Sequence, residues 1–208
     1  MKEKEFERLV KIKEIEKLKY EQGYEKILGI DEAGRGPLAG PVVIAGVIMP
    51  KDSMIEGVND SKKVSEKKRE KIYDLIIEEA ISYEVAVIGQ DIIDEINILN
   101  ATKLGVEKVV EGLKIKPDLI LVDALTGINT KGIKYEAIIK GDTKCYNIAA
   151  ASILSKVTRD RIIRQWDEIY PQYGFSSHKG YGTAKHIQAI KENGLCPIHR
   201  KSFTKKFI

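Results

Sequence analysis

The chain has 208 residues, of which 43% are hydrophobic and 32% charged, with 35 Lys and Arg against 31 Asp and Glu for a formal net charge of +4. That balance fits one compact globular domain with enough apolar material for a core, and it excludes a disordered or fibrous chain. No apolar run approaches the roughly 20 residues a bilayer span requires, and the first twenty positions mix Lys with Glu where a signal peptide would be apolar, so a cytoplasmic protein without membrane association is the expectation, and a monomer is expected.

In chain order, residues 2–22 carry Phe6, Leu9, Val10, Ile12, Ile15 and Leu18 at three- and four-residue steps, which predicts one amphipathic helix ended by Gly23. Residues 1–25 thus form an appendage that docks on a single domain spanning residues 26–208. Lys26 to Asp31 predicts a short strand. Ala33 to Pro41 holds three glycines and two prolines and can only be a loop. Val42 to Met49 is apolar throughout, the pattern of a strand covered on both faces. Ser65 is placed to cap a helix running to about Ala80. Tyr83 to Ile88 alternates and predicts a third strand. Residues 91–113 are helical, stopped ahead of Pro117. Leu119 to Val122 forms a buried strand ending at Asp123, and residues 134–139 form another. A long helix covers residues 147–170, its first turns lined with Ala149, Ala150, Ala151 and Ser152, small residues that let a helix lie close to a sheet. Beyond it comes mostly loop, with one helix over 183–193. Strands mixed with helices in one chain imply an α/β layer architecture around a mixed sheet. Cys145 and Cys196 form no CxxC pair, so they are expected as buried thiols rather than as a disulfide or zinc site.

Three acidic positions fall at strand ends, where sites in open α/β sheets gather. Asp31 and Glu32 close the first strand, Asp123 closes another, and Asp142 follows a strand and precedes the long helix. Clustered carboxylates repel, so something positive must hold them together, and hard oxygen ligands suit Mg²⁺ or Mn²⁺. Asp142 also stands near a helix N-terminus, which favours its ionised form. Taken singly, each of these residues is more readily a turn former or a helix cap than a catalytic group. Neighbours on a strand point to opposite faces, so Asp31 and Glu32 share one site only if the backbone bends there. A charge of +4 permits a nucleic-acid partner without establishing one.

The stretch Gly29-Ile30-Asp31-Glu32-Ala33-Gly34-Arg35-Gly36-Pro37-Leu38-Ala39-Gly40-Pro41 closely resembles the N-terminal signature of the bacterial ribonuclease HII family. Further blocks follow in the family's order: Asn59 to Lys63, Ile96 to Leu99, Val122-Asp123, Lys140 to Asp142, Ala149 to Asp160, His178 to Thr183 and His199 to Phe203. The resemblance implies a ribonuclease H-like fold, a mixed central sheet flanked by helices, with a C-terminal helical and loop extension that contacts substrate. It implies an endonuclease cutting RNA–DNA hybrids, or DNA duplexes containing ribonucleotides, with Mg²⁺ or Mn²⁺ held by Asp31, Glu32, Asp123 and Asp142. It places Gly34, Arg35 and Gly36 at the ribose 2′-OH, the group that separates RNA from DNA, Tyr181 against a neighbouring sugar, and Lys62 and Lys179 at phosphates. Lys63, Lys156, Arg159 and Arg200 are further candidate phosphate contacts. His178, His186 and His199 lack metal-ligand spacing and are expected to be structural or near phosphate. Two rivals remain at this point: a metal nuclease of the same broad fold without ribose preference, and an inactive nucleic-acid-binding module.

Overall fold

The computed structural model describes residues 1–208. Two helices, α1 (Glu3–Ile12) and α2 (Glu14–Glu21), precede β1 (Ile27–Ala33) and β2 (Val42–Ile48). Then come α3 (Glu66–Glu79), β3 (Ser82–Ile88), α4 (Gln90–Gly112), β4 (Leu119–Asp123), β5 (Tyr135–Ile138), the short turn α5 (Gly141–Lys144) and the long α6 (Tyr146–Ile169). The C-terminal segment holds α7 (Phe175–His178), α8 (Ala184–Asn193) and α9 (Lys201–Thr204).

The five strands form one mixed sheet in the order β3-β2-β1-β4-β5. β1 runs antiparallel to β2 and parallel to β4. β2 is buried at every position because helices cover both faces of the sheet. On one face Ala45, Val47 and Met49 pack with Ala149, Ala150 and Ile153 of α6 and with Leu9 and Ile12 of α1. On the other, Ile30, Ile44 and Ile48 pack with Val106 and Val109 of α4. The small residues at the start of α6 bring it close enough that a Cβ on Gly29 would lie 2.2 Å from the backbone of Asn147. A third apolar cluster, around Phe175, Ile190 and Ile198, ties the C-terminal segment to Leu38 and Ile163.

Several sequence expectations need correction. The single N-terminal helix is two, broken at Lys13, whose ammonium donates to the carbonyls of Lys51 (2.8 Å) and Ser53 (2.6 Å). Its apolar stripe docks only in part: Leu9 and Ile12 are buried, whereas Phe6, Val10 and Leu18 are exposed. Residues 90–112 are two helical pieces meeting at Asn97, with φ 66° and ψ 165°. The Asn97 side chain accepts from the Asn100 amide at 3.1 Å, so it starts the second piece as a cap. Ser65 stands at the α3 N-cap but its hydroxyl makes no capping bond. β1 also runs two residues further than expected, through Glu32 and Ala33.

Candidate active site

The parallel register pairs Ile30 with Val122, so Asp31 and Asp123 leave the sheet side by side on adjoining strands. Asp123 then reaches the next loop, accepting from the Gly141 amide at 2.7 Å. That bond fixes the turn in which Asp142 stands, itself buried. Lys62, on the single turn after Asp60, closes the group with its ammonium 3.7 Å from Asp142 Oδ2 and 3.9 Å from Asp60 Oδ1. Asp60 caps that turn by accepting from the Lys62 amide at 3.0 Å. Asp31, Asp123 and Asp142 thus stand on adjoining elements, with Glu32 next to Asp31 on β1.

Their electrostatics bear the mark of crowding. Burial and the charge of Glu32 push Asp31 well above the usual carboxylate range, against hydrogen bonding from Ser152 on α6 and from the backbone. Glu32 is raised by burial and by Asp123, although Arg35 beside it pulls the other way. Asp142 is raised by burial and by the charges of Asp60 and Asp123. The helix N-terminus expected to favour its ionised form is therefore outweighed; α5 is only four residues long and supplies little dipole. Like charges in a poorly solvated site are each costly to ionise, and a hard divalent cation relieves that cost. The oxygen-only donor set fits such an ion. No three of these side chains meet in a tight ligand cluster as they stand, but their chain positions adjoin and each of the raised groups feels its neighbours' charge.

A cleft of about 410 Å³ opens beside the carboxylates. Asp31 and Glu32 both line it although both lie within β1, and the backbone turns at Gly34, φ 98°, directly after the strand. Gly34, Arg35 and Gly36 form the adjoining wall, and Tyr181 lies across from them; a Cβ on Gly36 would sit 3.7 Å from the Tyr181 ring. Lys62 and Lys156 line the cleft as well. Lys179 does not: its ammonium sits 3.8 Å from Glu66 on α3, and its carbonyl accepts from Arg159 at 2.9 Å. Lys63 opens onto a different groove, shared with Arg8, Lys11 and Lys144. Lys156 is bound to Asp160 at 2.8 Å, and burial lowers its pKa.

Arg159 and Arg200, candidate phosphate contacts by sequence, have both guanidinium groups spent on backbone carbonyls of the cleft wall. Asp60 and Ser152, which also stand at the site, carry little sequence signal. The only signal for Asp60 was its place in the Asn59 to Lys63 block, and Ser152 read as one more small residue. The three histidines are buried and packed on one another. His186 stacks on His178 at 4.4 Å, and its Nε2 lies 3.0 Å from that of His199. Burial pushes His186 down to about 4, so it stays neutral, and its Nδ1 lies 3.0 Å from the carbonyl of Tyr181. Cys145 and Cys196 are buried free thiols, as expected.

A mixed sheet with carboxylates gathered at its strand ends, beside a glycine-rich wall and a basic cleft, is the layout of a nuclease with a ribonuclease H-like fold. Residues 28–206 match the family model described as ribonuclease HII. The chain is 55% identical over 206 residues to a ribonuclease HII of Acetivibrio thermocellus, covering 99% of this chain and 80% of that one. It is equally 55% identical, over 207 residues and with the same shares, to a ribonuclease HII of Clostridioides difficile. Among solved structures it is similar to the ribonuclease H2 of Pyrococcus horikoshii, with a TM-score of 0.74, 29% identity, and coverage of 88% of this chain and 96% of that one. The chain belongs to the ribonuclease HII family, metal-dependent endoribonucleases that act on RNA–DNA hybrids.

Proposed function

We propose that the protein hydrolyses the phosphodiester on the 5′ side of a ribonucleotide, in RNA–DNA hybrids and in DNA duplexes carrying embedded ribonucleotides, leaving 3′-hydroxyl and 5′-phosphate ends. The observation that carries this reading is one cleft lined at one end by Asp31 and Glu32 and at the other by Gly34, Arg35, Gly36 and Tyr181. Asp31, Glu32, Asp123 and Asp142 would hold Mg²⁺ or Mn²⁺. Such an ion, when bound, lowers the pKa of water and steadies a leaving oxygen.

The chain's own residues do the rest. Gly34 and Gly36 let the backbone approach a sugar, where peptide groups can meet the 2′-OH. Arg35, with its side chain 46% exposed and only a 3.5 Å contact to Glu32, is free to swing onto a phosphate. The half-exposed Tyr181 ring offers a flat surface for a neighbouring sugar, one that favours a deoxyribose without the bulk of the hydroxyl. Lys62 and Lys156 add positive charge along the path of the strand. In this reading the 2′-OH aligns the substrate and is not the nucleophile.

The test is a duplex with a single ribonucleotide beside the same duplex in DNA alone. Cutting confined to the phosphodiester 5′ of the ribonucleotide is expected, and equal cutting of the all-DNA duplex would refute the ribose preference. Asp31→Asn should abolish cleavage and leave duplex binding within about threefold, because the change removes one charge and little volume. A variant that still cuts would remove Asp31 from the site.

A further inference from the structure

Arg159 and Arg200 are each 0% exposed. All six of their hydrogen bonds end on backbone carbonyl oxygens. Arg159 donates to Pro41 (3.0 Å), Ala39 (3.1 Å) and Lys179 (2.9 Å). Arg200 donates to Gly40 (2.8 Å), Arg35 (2.8 Å) and Gly34 (2.6 Å). Five of the six acceptors belong to residues 34–41, the loop that forms the cleft wall. Burial pushes both guanidinium groups below their ordinary pKa, and the charge of Arg159 lowers Arg200 further.

Two cations buried near each other without a carboxylate partner are a poor way to stabilise a fold. Apolar side chains of similar volume commonly do at least as well at such places. What the pair does instead is orient peptide groups. With the carbonyls of Gly34 and Arg35 turned inward onto Arg200, the amides of Arg35 and Gly36 donate to no other backbone group of the chain. Those two N–H groups stand at the cleft wall, and the positive charge behind them polarises the peptides they belong to. The fit is tight: a Cβ on Gly34 would lie 2.1 Å from Arg159 Nε. A planar fork with five donors in fixed directions can hold three carbonyls at once, whereas an ammonium cannot reproduce that pattern.

We propose that Arg159 and Arg200 are specificity-determining positioning residues, which grip the carbonyls of the 34–41 loop so that its free amides meet the sugar hydroxyl and the adjoining phosphate. This rests on the ribose-reading role given to the loop above. It assigns the two arginines to discrimination between ribose and deoxyribose rather than to general attraction of the duplex.

The experiment compares the wild-type protein with Arg159→Lys and Arg200→Lys, which keep the charge and lose the fork. Two quantities are read: kcat/KM on a single-ribonucleotide duplex, and the inhibition constant of the same duplex in DNA alone as competitor. A small misplacement of the loop is expected to lower kcat/KM by about 100-fold, with the competitor constant within about threefold of wild type. Parallel loss of both quantities, or loss of neither, in variants that melt cooperatively would overturn the proposal. Should a lysine variant not fold, Phe203→Leu replaces it. The Phe203 ring lies 5.1 Å from the Arg200 guanidinium, and trimming it loosens the arginine while sparing every donor. Its expected effect is about threefold on kcat/KM alone, and a wild-type value would count against the proposal. A wild-type protein that cuts both duplexes alike would defeat the ribose-reading role itself, an outcome distinct from failure of the arginine variants.

Discussion

Glu16 on α2 is 1% exposed, and one carboxylate oxygen accepts from the Asn147 amide at 2.9 Å, at the N-terminus of α6. The other oxygen has no hydrogen-bond partner. Burial raises its pKa from 4.5 to about 7, against the pull of the Asn147 amide and of Lys13. A carboxyl group whose folded pKa lies above its unfolded value favours the fold while it is protonated. That contribution is complete below about pH 4.5 and is lost as pH rises through about 7. The difference amounts to about 3 kcal/mol in all, of which about 2.5 kcal/mol falls between pH 5 and pH 8. Glu16→Gln keeps the acceptor for Asn147 and cannot ionise. Urea unfolding of both proteins across that interval should show the variant gaining about 2.5 kcal/mol on the wild type. In thermal melts the gain corresponds to roughly 5–10 °C for a domain of this size. A stability difference between the two proteins that stays constant from pH 5 to pH 8 would refute the argument and mean that Glu16 keeps its ordinary affinity for protons in the fold.

Gly29→Ala should destabilise the protein by about 4 kcal/mol or more, because the added carbon meets backbone rather than a movable side chain. A melting temperature within a few degrees of wild type would show that α6 can move off the sheet. Added Mg²⁺ or Mn²⁺ should raise the melting temperature of the wild-type protein, since the ion relieves the repulsion that Asp123 exerts on Asp31, Glu32 and Asp142 and binds the folded state alone. Asp142→Asn should show a smaller rise, and a chelator should reverse it. An equal rise in both proteins would place the ion elsewhere.

The central strands and the long α6 could be read from the sequence because their signals are local: unbroken apolar runs for β2 and β4, and a patch of small residues where α6 meets β1. The four carboxylates were readable because each stands where a regular element stops. The break at Lys13 was not, since the residue's partners there, the carbonyls of Lys51 and Ser53, lie far along the chain. Nor was the cap at Asn97, which interrupts an apolar periodicity that continues in phase on either side of it. The roles of Arg159 and Arg200 were the least accessible. Arginines near a basic cleft read as phosphate contacts, and only the fold reveals that both turn away from solvent into carbonyls of the 34–41 loop, more than a hundred positions away. The pKa of Asp142 likewise depended on Asp60 and Asp123, neighbours in space and not in sequence.

A single helix serves both ends of the cleft. Ser152 of α6 stands by Asp31, and Arg159, seven residues on, holds the glycine-rich wall of the cleft. Seven residues make almost two turns, so both side chains leave the same side of the helix about 10 Å apart. The span between the carboxylate end of the cleft and its glycine-rich wall is therefore written into the pitch of a rigid rod. Inserting or deleting one residue between 152 and 159 would swing the arginine about 100° around the axis, and on the proposed reading the carboxylate end of the cleft would lose its alignment with the wall that reads the sugar hydroxyl.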